Sequence, residues 1–172
     1  LTTTGKPTGL FRPPSYSSDD TKTKETLIAI STVNSFVLMT LNLATFETKQ
    51  LIGLQAGNLI PAFYSLSSTL LMALLYPNKV DVYLLDSNGN QKSDVITIPV
   101  DFQLTYLTFL SPSYIIGHDF GYKHFVLITI ETERQPMTGH SSLIECPVKG
   151  CLAKSQSSNS LLFFSGSLLW KV

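Results

Sequence analysis

The chain has 172 residues, twelve of them basic and twelve acidic, and only 14% are charged. Its 44% hydrophobic content is enough for one domain core, and 20 Ser with 18 Thr supply much of the polarity. No cluster of Lys and Arg forms a phosphate-binding face, so direct nucleic-acid binding is not expected. Two cysteines, Cys146 and Cys151, are too few and too close for a disulfide scaffold.

Residues 1–24, "LTTTGKPTGLFRPPSYSSDDTKTK", are dense in Thr, Ser, Pro, Gly and charge and read as a flexible tail or linker. Leu1 opens no signal-peptide pattern, and no Asn-x-Ser/Thr sequon occurs in the chain. These features lead us to expect a soluble piece of a longer, reducing-compartment protein. Within the tail, "RPPSY" (Arg12 to Tyr16) is similar to the Pro-Pro-x-Tyr ligands of WW domains. Consecutive prolines favour the polyproline II form, which loses little entropy on docking. Pro13, Pro14 and Tyr16 are therefore candidate partner-binding residues, and Ser17, close to Asp19 and Asp20, is a candidate phosphosite.

From Thr26 onward, short runs of Leu, Ile, Val, Phe and Tyr alternate with turn signals. The signals are Thr32 to Ser35, Ala56 to Asn58, Pro77-Asn78, Asn88-Gly89, Pro112-Ser113, Gly117 to Gly121, Pro136 to His140 and Ser155 to Ser160. No helical spacing is sustained, so the chain reads as all-β. Its longest apolar run, Leu70 to Tyr76, falls far short of the roughly 18–20 residues a membrane helix needs. Continuous apolar sequence of this length suits a strand covered on both faces.

Four of the runs end in an apolar residue followed by a polar one: "FVLMTLN", "VDVYLLD", "FVLITIE" and "SLLWK". The final pairs, Leu41-Asn42, Leu85-Asp86, Ile130-Glu131 and Trp170-Lys171, are spaced 44, 45 and 40 residues apart. Each run is preceded by a second: "TLIAIS", "LLMALLY", "YIIGHDF" and "LLFFSG". A period of about 40–45 residues holding four short strands is that of a β-propeller blade.

At these residues the chain resembles the WD-repeat family. "STLLMALLYPNKVDVYLLDSNGNQ" looks like the middle of a WD-repeat, with a strand ending in the Trp-Asp position. "FVLMTLNLATFETKQLIGLQAG" is similar to that same strand, the turn after it and the outer strand, and "LFFSGSLLWKV" keeps the Trp at Trp170. Only Asp86, and loosely Glu131, holds the acidic position. The Gly-His pair that the family places before each innermost strand is missing, so its hydrogen-bonded tetrad does not carry over. The resemblance covers residues 25–172. It implies a β-propeller segment of four-stranded antiparallel blades in an incomplete ring, with whole blades at Leu43 to Asp86 and Ser87 to Glu131. It further implies a non-enzymatic scaffold in a large cytoplasmic or nuclear assembly, with protein subunits as partners and no cofactor.

Candidate chemistry is sparse. "DSNGN" (Asp86 to Asn90) opens like a calcium loop, but Gln91 and Thr97 stand where Gly and Glu are required, so it reads as a tight hairpin turn. "GHDFGYKH" (Gly117 to His124) reads as an inter-strand loop, in which His118, Asp119 and His124 make an alternative metal or catalytic set for a propeller hydrolase or lyase. His140, Cys146 and Cys151 lack the second cysteine pair of a zinc site, and Cys146 reads as a small buried residue. No metal is expected. Tyr76, at a hairpin, and Phe120 and Tyr122, in the 117–124 loop, are the candidate exposed anchors for a partner. A β-sandwich binding module is the remaining alternative.

Overall fold

A computed structural model describes residues 7–11, 25–119, 124–131, 137–145, 151–154, 161–165 and 168–171. Of residues 144, 145 and those beyond 150, only the backbone is described. The regular structure among these residues is all strand. The first sheet contains β1 (Pro7–Phe11), β2 (Glu25–Thr32), β3 (Phe36–Asn42) and β4 (Thr48–Leu54). The second contains β5 (Ile60–Ser65), β6 (Thr69–Leu75), β7 (Lys79–Asp86) and β8 (Ile96–Pro99), and the third β9 (Leu104–Ser111), β10 (Tyr114–Asp119), β11 (His124–Glu131) and β12 (Thr138–Glu145). A fourth has β13 (Cys151–Lys154), β14 (Leu161–Ser165) and β15 (Leu168–Lys171). In every sheet sequential strands are neighbours. The meander of four antiparallel strands is the blade of a β-propeller. Among the described residues three such blades are complete, fewer than the four of the smallest closed ring, so the fold is the incomplete propeller segment that the sequence implies.

The chain divides into two compact units, Leu1–Leu74 with Tyr83–Val95 and Leu75–Val82 with Ile96–Val172. In the first, Ala29, Phe36, Leu38, Leu70, Leu71, Met72, Leu74 and Leu85 are wholly buried. In the second, Val80, Val82, Ile98, Ile115 and Ile128 are wholly buried, with Phe109 and Ile130 nearly so. Every residue of β6 from Leu70 to Leu75 is buried, as expected for a strand with no wet face.

Each of the four anchor pairs ends the third strand of its sheet: Asn42 closes β3, Asp86 β7, Glu131 β11 and Lys171 β15. The repeat is therefore real but out of phase with the sheets by one strand. Leu43 to Asp86 begins with β4, the fourth strand of one sheet, and continues with β5, β6 and β7 of the next. The anchors mark where a strand ends, whereas hydrogen bonding decides which sheet it joins.

Three segments depart from the sequence reading. Pro7–Phe11, inside the expected tail, is strand β1 and pairs antiparallel with β2, Leu10 opposite Ile30 and Phe11 opposite Ala29. Proline is tolerated there because it sits at the strand's first position. Gly117 and His118 lie in β10 rather than in a loop. Gly117 is where β9 approaches closely, since a Cβ there would meet Leu104 Cδ1 at 2.7 Å and the Tyr106 carbonyl oxygen at 2.9 Å. His140, expected in a turn, lies in β12 opposite Thr129.

Candidate functional site

The polar members of two anchor pairs, Asp86 and Asn42, cap the turns that follow them. After β7, the Asp86 carboxylate accepts from the backbone N–H groups of Asn88 (2.8 Å) and Asn90 (2.9 Å), and from the Asn90 side-chain amide (3.1 Å). The Asp86 N–H donates to the Asn90 carbonyl at 2.8 Å, and Gly89 takes φ of 80°. The result is a three-residue hairpin loop with glycine at its left-handed position. After β3, Asn42 does the same work: its Oδ1 accepts from Ala44 N (2.9 Å) and Thr45 N (3.2 Å), and its N–H donates to the Glu47 carbonyl at 2.9 Å. The calcium-like spelling of "DSNGN" is thus a turn cap.

Asp86 makes a pH prediction. Burial raises its carboxyl pKa, but the side-chain and backbone bonds from Asn90, the backbone bond from Asn88, and the Lys92 charge outweigh it, leaving it below the ordinary 3.8. A folded value below the unfolded one stabilises above the unfolded pKa, and that contribution is lost as pH falls through the folded value. Asp86→Ala is expected to cost about 1 kcal/mol at neutral pH, at the low end for a charged acceptor because the turn faces solvent. Asp86→Asn retains an acceptor and should keep most of the stability at pH 7. Its urea midpoint should converge with wild type below about pH 4. If the wild-type and Asn curves stay parallel from pH 7 to pH 3, the carboxylate is not the cap.

The second cluster is at the β10–β11 hairpin. Asp119 Oδ2 accepts from His124 Nδ1 at 2.8 Å, with the His124 ring stacked on Phe102 at 5.0 Å. His118 does not join them. Strand alternation turns it to the opposite face, where it is buried, stacked on Tyr106 at 5.0 Å and edge-on to Phe125 at 6.0 Å. Its Nδ1 donates to the Asp119 carbonyl at 3.0 Å. The candidate set of three is split into an Asp–His pair and a core histidine. Asp119 fixes Nδ1 of His124 as a donor, so neutral His124 presents Nε2 as an acceptor. Among the described residues, no three His, Cys, Asp or Glu side chains gather into a group able to hold a metal ion.

Of the expected anchors, Tyr76 is half-buried where β6 turns into β7, its N–H donating to the Lys79 carbonyl at 2.9 Å. Lys79 Nζ lies 4.4 Å above the Tyr76 ring and 2.7 Å from Asp81 Oδ2. The buried Asp81 also accepts from Thr97 Oγ1 at 2.7 Å. The tyrosine is therefore held in place by a charge network. Pro13, Pro14, Tyr16, Phe120, Tyr122 and Cys146 lie outside the described residues.

A surface that the sequence reading missed lies on the first unit. An open polar cleft of about 630 Å³ is lined by Glu25, Thr40, Asn42, Glu47, Lys49, Asn88 and Asn90 among others. Beside it, the β3–β4 loop exposes Leu43 (52%) and Phe46 (76%), the latter at φ of 59°. The sequence places a turn here, and the structure adds that Phe46 is exposed at a left-handed position.

No protein-family model matches the chain, and no curated protein matches it. Among solved structures it is similar to one of Hsv2 from Kluyveromyces lactis with complete loop 6CD, at 14% identity and a TM-score of 0.35. The likeness covers 83% of this chain and 55% of that one, so the chain spans little more than half of that structure's length, and nothing of that protein's role passes to it.

Proposed function

We propose that the chain is a WD-repeat-like scaffold: a non-enzymatic propeller segment that holds protein subunits of a larger cytoplasmic or nuclear assembly. The observation that supports this best is the use of its repeated polar positions. Asn42 and Asp86 are consumed in capping turns, so what varies from blade to blade is what the turns and loops display. Rigid display suits docking, where preformed surfaces lose little entropy on binding. Tyr76, Phe120 and Tyr122 are proposed contact residues, and Pro13, Pro14 and Tyr16 a proposed site for a WW-type domain.

Affinity capture of the intact protein followed by mass spectrometry tests the reading. A reproducible set of subunits in fixed ratio is expected, and recovery of the protein alone would sink it. The Asp119–His124 pair favours one competing reading, a hydrolase or lyase. A His118→Ala and His124→Ala double variant separates the two. Loss of a turnover with the fold intact supports the enzyme, and an unchanged subunit set supports the scaffold.

A further inference from the structure

Resting on the scaffold reading, we infer that the β3–β4 tip of the first sheet anchors a protein partner. Phe46 and Leu43 enter an apolar socket on it, while the adjacent cleft receives a basic side chain from its rim.

Two turns of the same chain make the comparison. The turn after β7 places Gly89 at its left-handed position and keeps a polar tip, Ser87 and Asn88. The turn after β3 places Phe46 there, at φ of 59°. A side chain with a Cβ is disfavoured in that conformation, and a bulky one is an outlier. Phe46 gains no compensating burial, since its residue is 76% exposed, and Leu43 on the same loop is 52% exposed. A strained aromatic that does nothing for the core is the kind of outlier that marks a contact site.

The tip is also rigid. Phe46 N–H donates to the Asn42 carbonyl at 2.8 Å, Asn42 Oδ1 holds Ala44 N and Thr45 N, and Thr45 Oγ1 donates to Glu47 Oε2 at 3.0 Å. A preformed aromatic at a loop tip is how binding hot spots are built. The chemistry beside it selects the partner. Glu25 and Glu47 line the cleft with a single Lys49, so two carboxylates face one ammonium. That balance attracts a Lys or Arg of a protein and opposes an anionic lipid surface, which recruits basic residues.

The full-length protein is tested in two steps. Phe46→Gly is expected to raise the melting temperature by about 2–4 °C, because it relieves the left-handed strain. A fall in melting temperature would make Phe46 structural and overturn the inference. A photo-reactive benzoylphenylalanine at position 46 should then trap one protein in the native cell. That protein, purified, should bind Phe46→Gly at least tenfold more weakly than wild type. Glu25→Lys should weaken binding and flatten its salt dependence without moving the melting temperature. Failure to form an adduct, an adduct solely with a second copy of the chain, or equal affinity for Phe46→Gly overturns the proposal. So does Phe46-dependent sedimentation with phosphatidylcholine or phosphatidylserine vesicles. A subunit set left intact by Phe46→Gly removes this anchor and leaves the scaffold standing, whereas a wild-type protein recovered alone removes the scaffold itself.

Discussion

Phe109→Ala is expected to lower the free energy of unfolding by about 3–5 kcal/mol, the range for deleting a buried aromatic side chain. Phe109 is 1% exposed and sits opposite Ile115 in the β9–β10 ladder. Its own strand, β9, lies at the edge of the sheet and is held by pairing with β10, which is bonded in turn to β11. The sheet therefore has little freedom to collapse into the space left behind. A domain's whole stability is about 5–15 kcal/mol, so the variant should unfold at a urea midpoint lower by roughly 1 M or more. Phe109→Leu, which keeps most of the volume, should lose about half as much or less. A loss below about 1 kcal/mol for the alanine variant would mean that the site is looser than described.

Gly57→Ala is the second large effect, and its cause is steric rather than hydrophobic. A Cβ at position 57 would fall on the carbonyl group of Val33 and close to Asn34 N. Neither can give way easily. Thr32 N–H donates to the Ser35 carbonyl, Thr32 Oγ1 accepts from Ser35 N at 2.9 Å, and Asn58 N–H donates to the Thr32 carbonyl at 2.8 Å. The linker between β4 and β5 is thus pinned onto the β2–β3 turn. We expect a cost at the upper end of overpacking, about 3 kcal/mol, seen as a melting temperature lower by roughly 6–12 °C for a chain of this size. Gly53→Ala is the control. There the added methyl meets just the end of the Gln50 side chain, which can swing away, so the change should stay within about 1 kcal/mol. Equal effects from the two glycines would contradict the pinned linker.

Much of this architecture was written in local sequence. Turn residues such as Pro77-Asn78 and Asn88-Gly89 separate runs that do become strands, and the anchor pairs fall on strand ends to the residue. The unbroken apolar run at Leu70 to Leu75 announced a strand buried on both faces. What escaped depends on contacts distant in sequence. Strand β1 is poor in local signal and exists through pairing with β2. Gly117 reads as a loop residue, but it is a strand residue whose missing side chain makes room for β9. The candidate site fared similarly. Spacing brought Asp119 and His124 together correctly, while strand alternation sent His118 into the core. The letters "LATFE" fall where the sequence places a turn, but nothing in them sets Phe46 at a left-handed, exposed position.

The one-strand offset between repeat and sheet constrains how such a chain can lengthen or be trimmed. Duplicating one 44-residue copy, Leu41-Asn42 to Leu85-Asp86, would not append a finished sheet. It would give its predecessor an outer ribbon and start a successor lacking one. Excision at those same points would leave a ragged ribbon on either side of the scar, whereas a cut between Gln55 and Asn58 falls between β4 and β5 and parts whole sheets cleanly. In effect each copy is sewn into the next, as overlapping planks are in a hull.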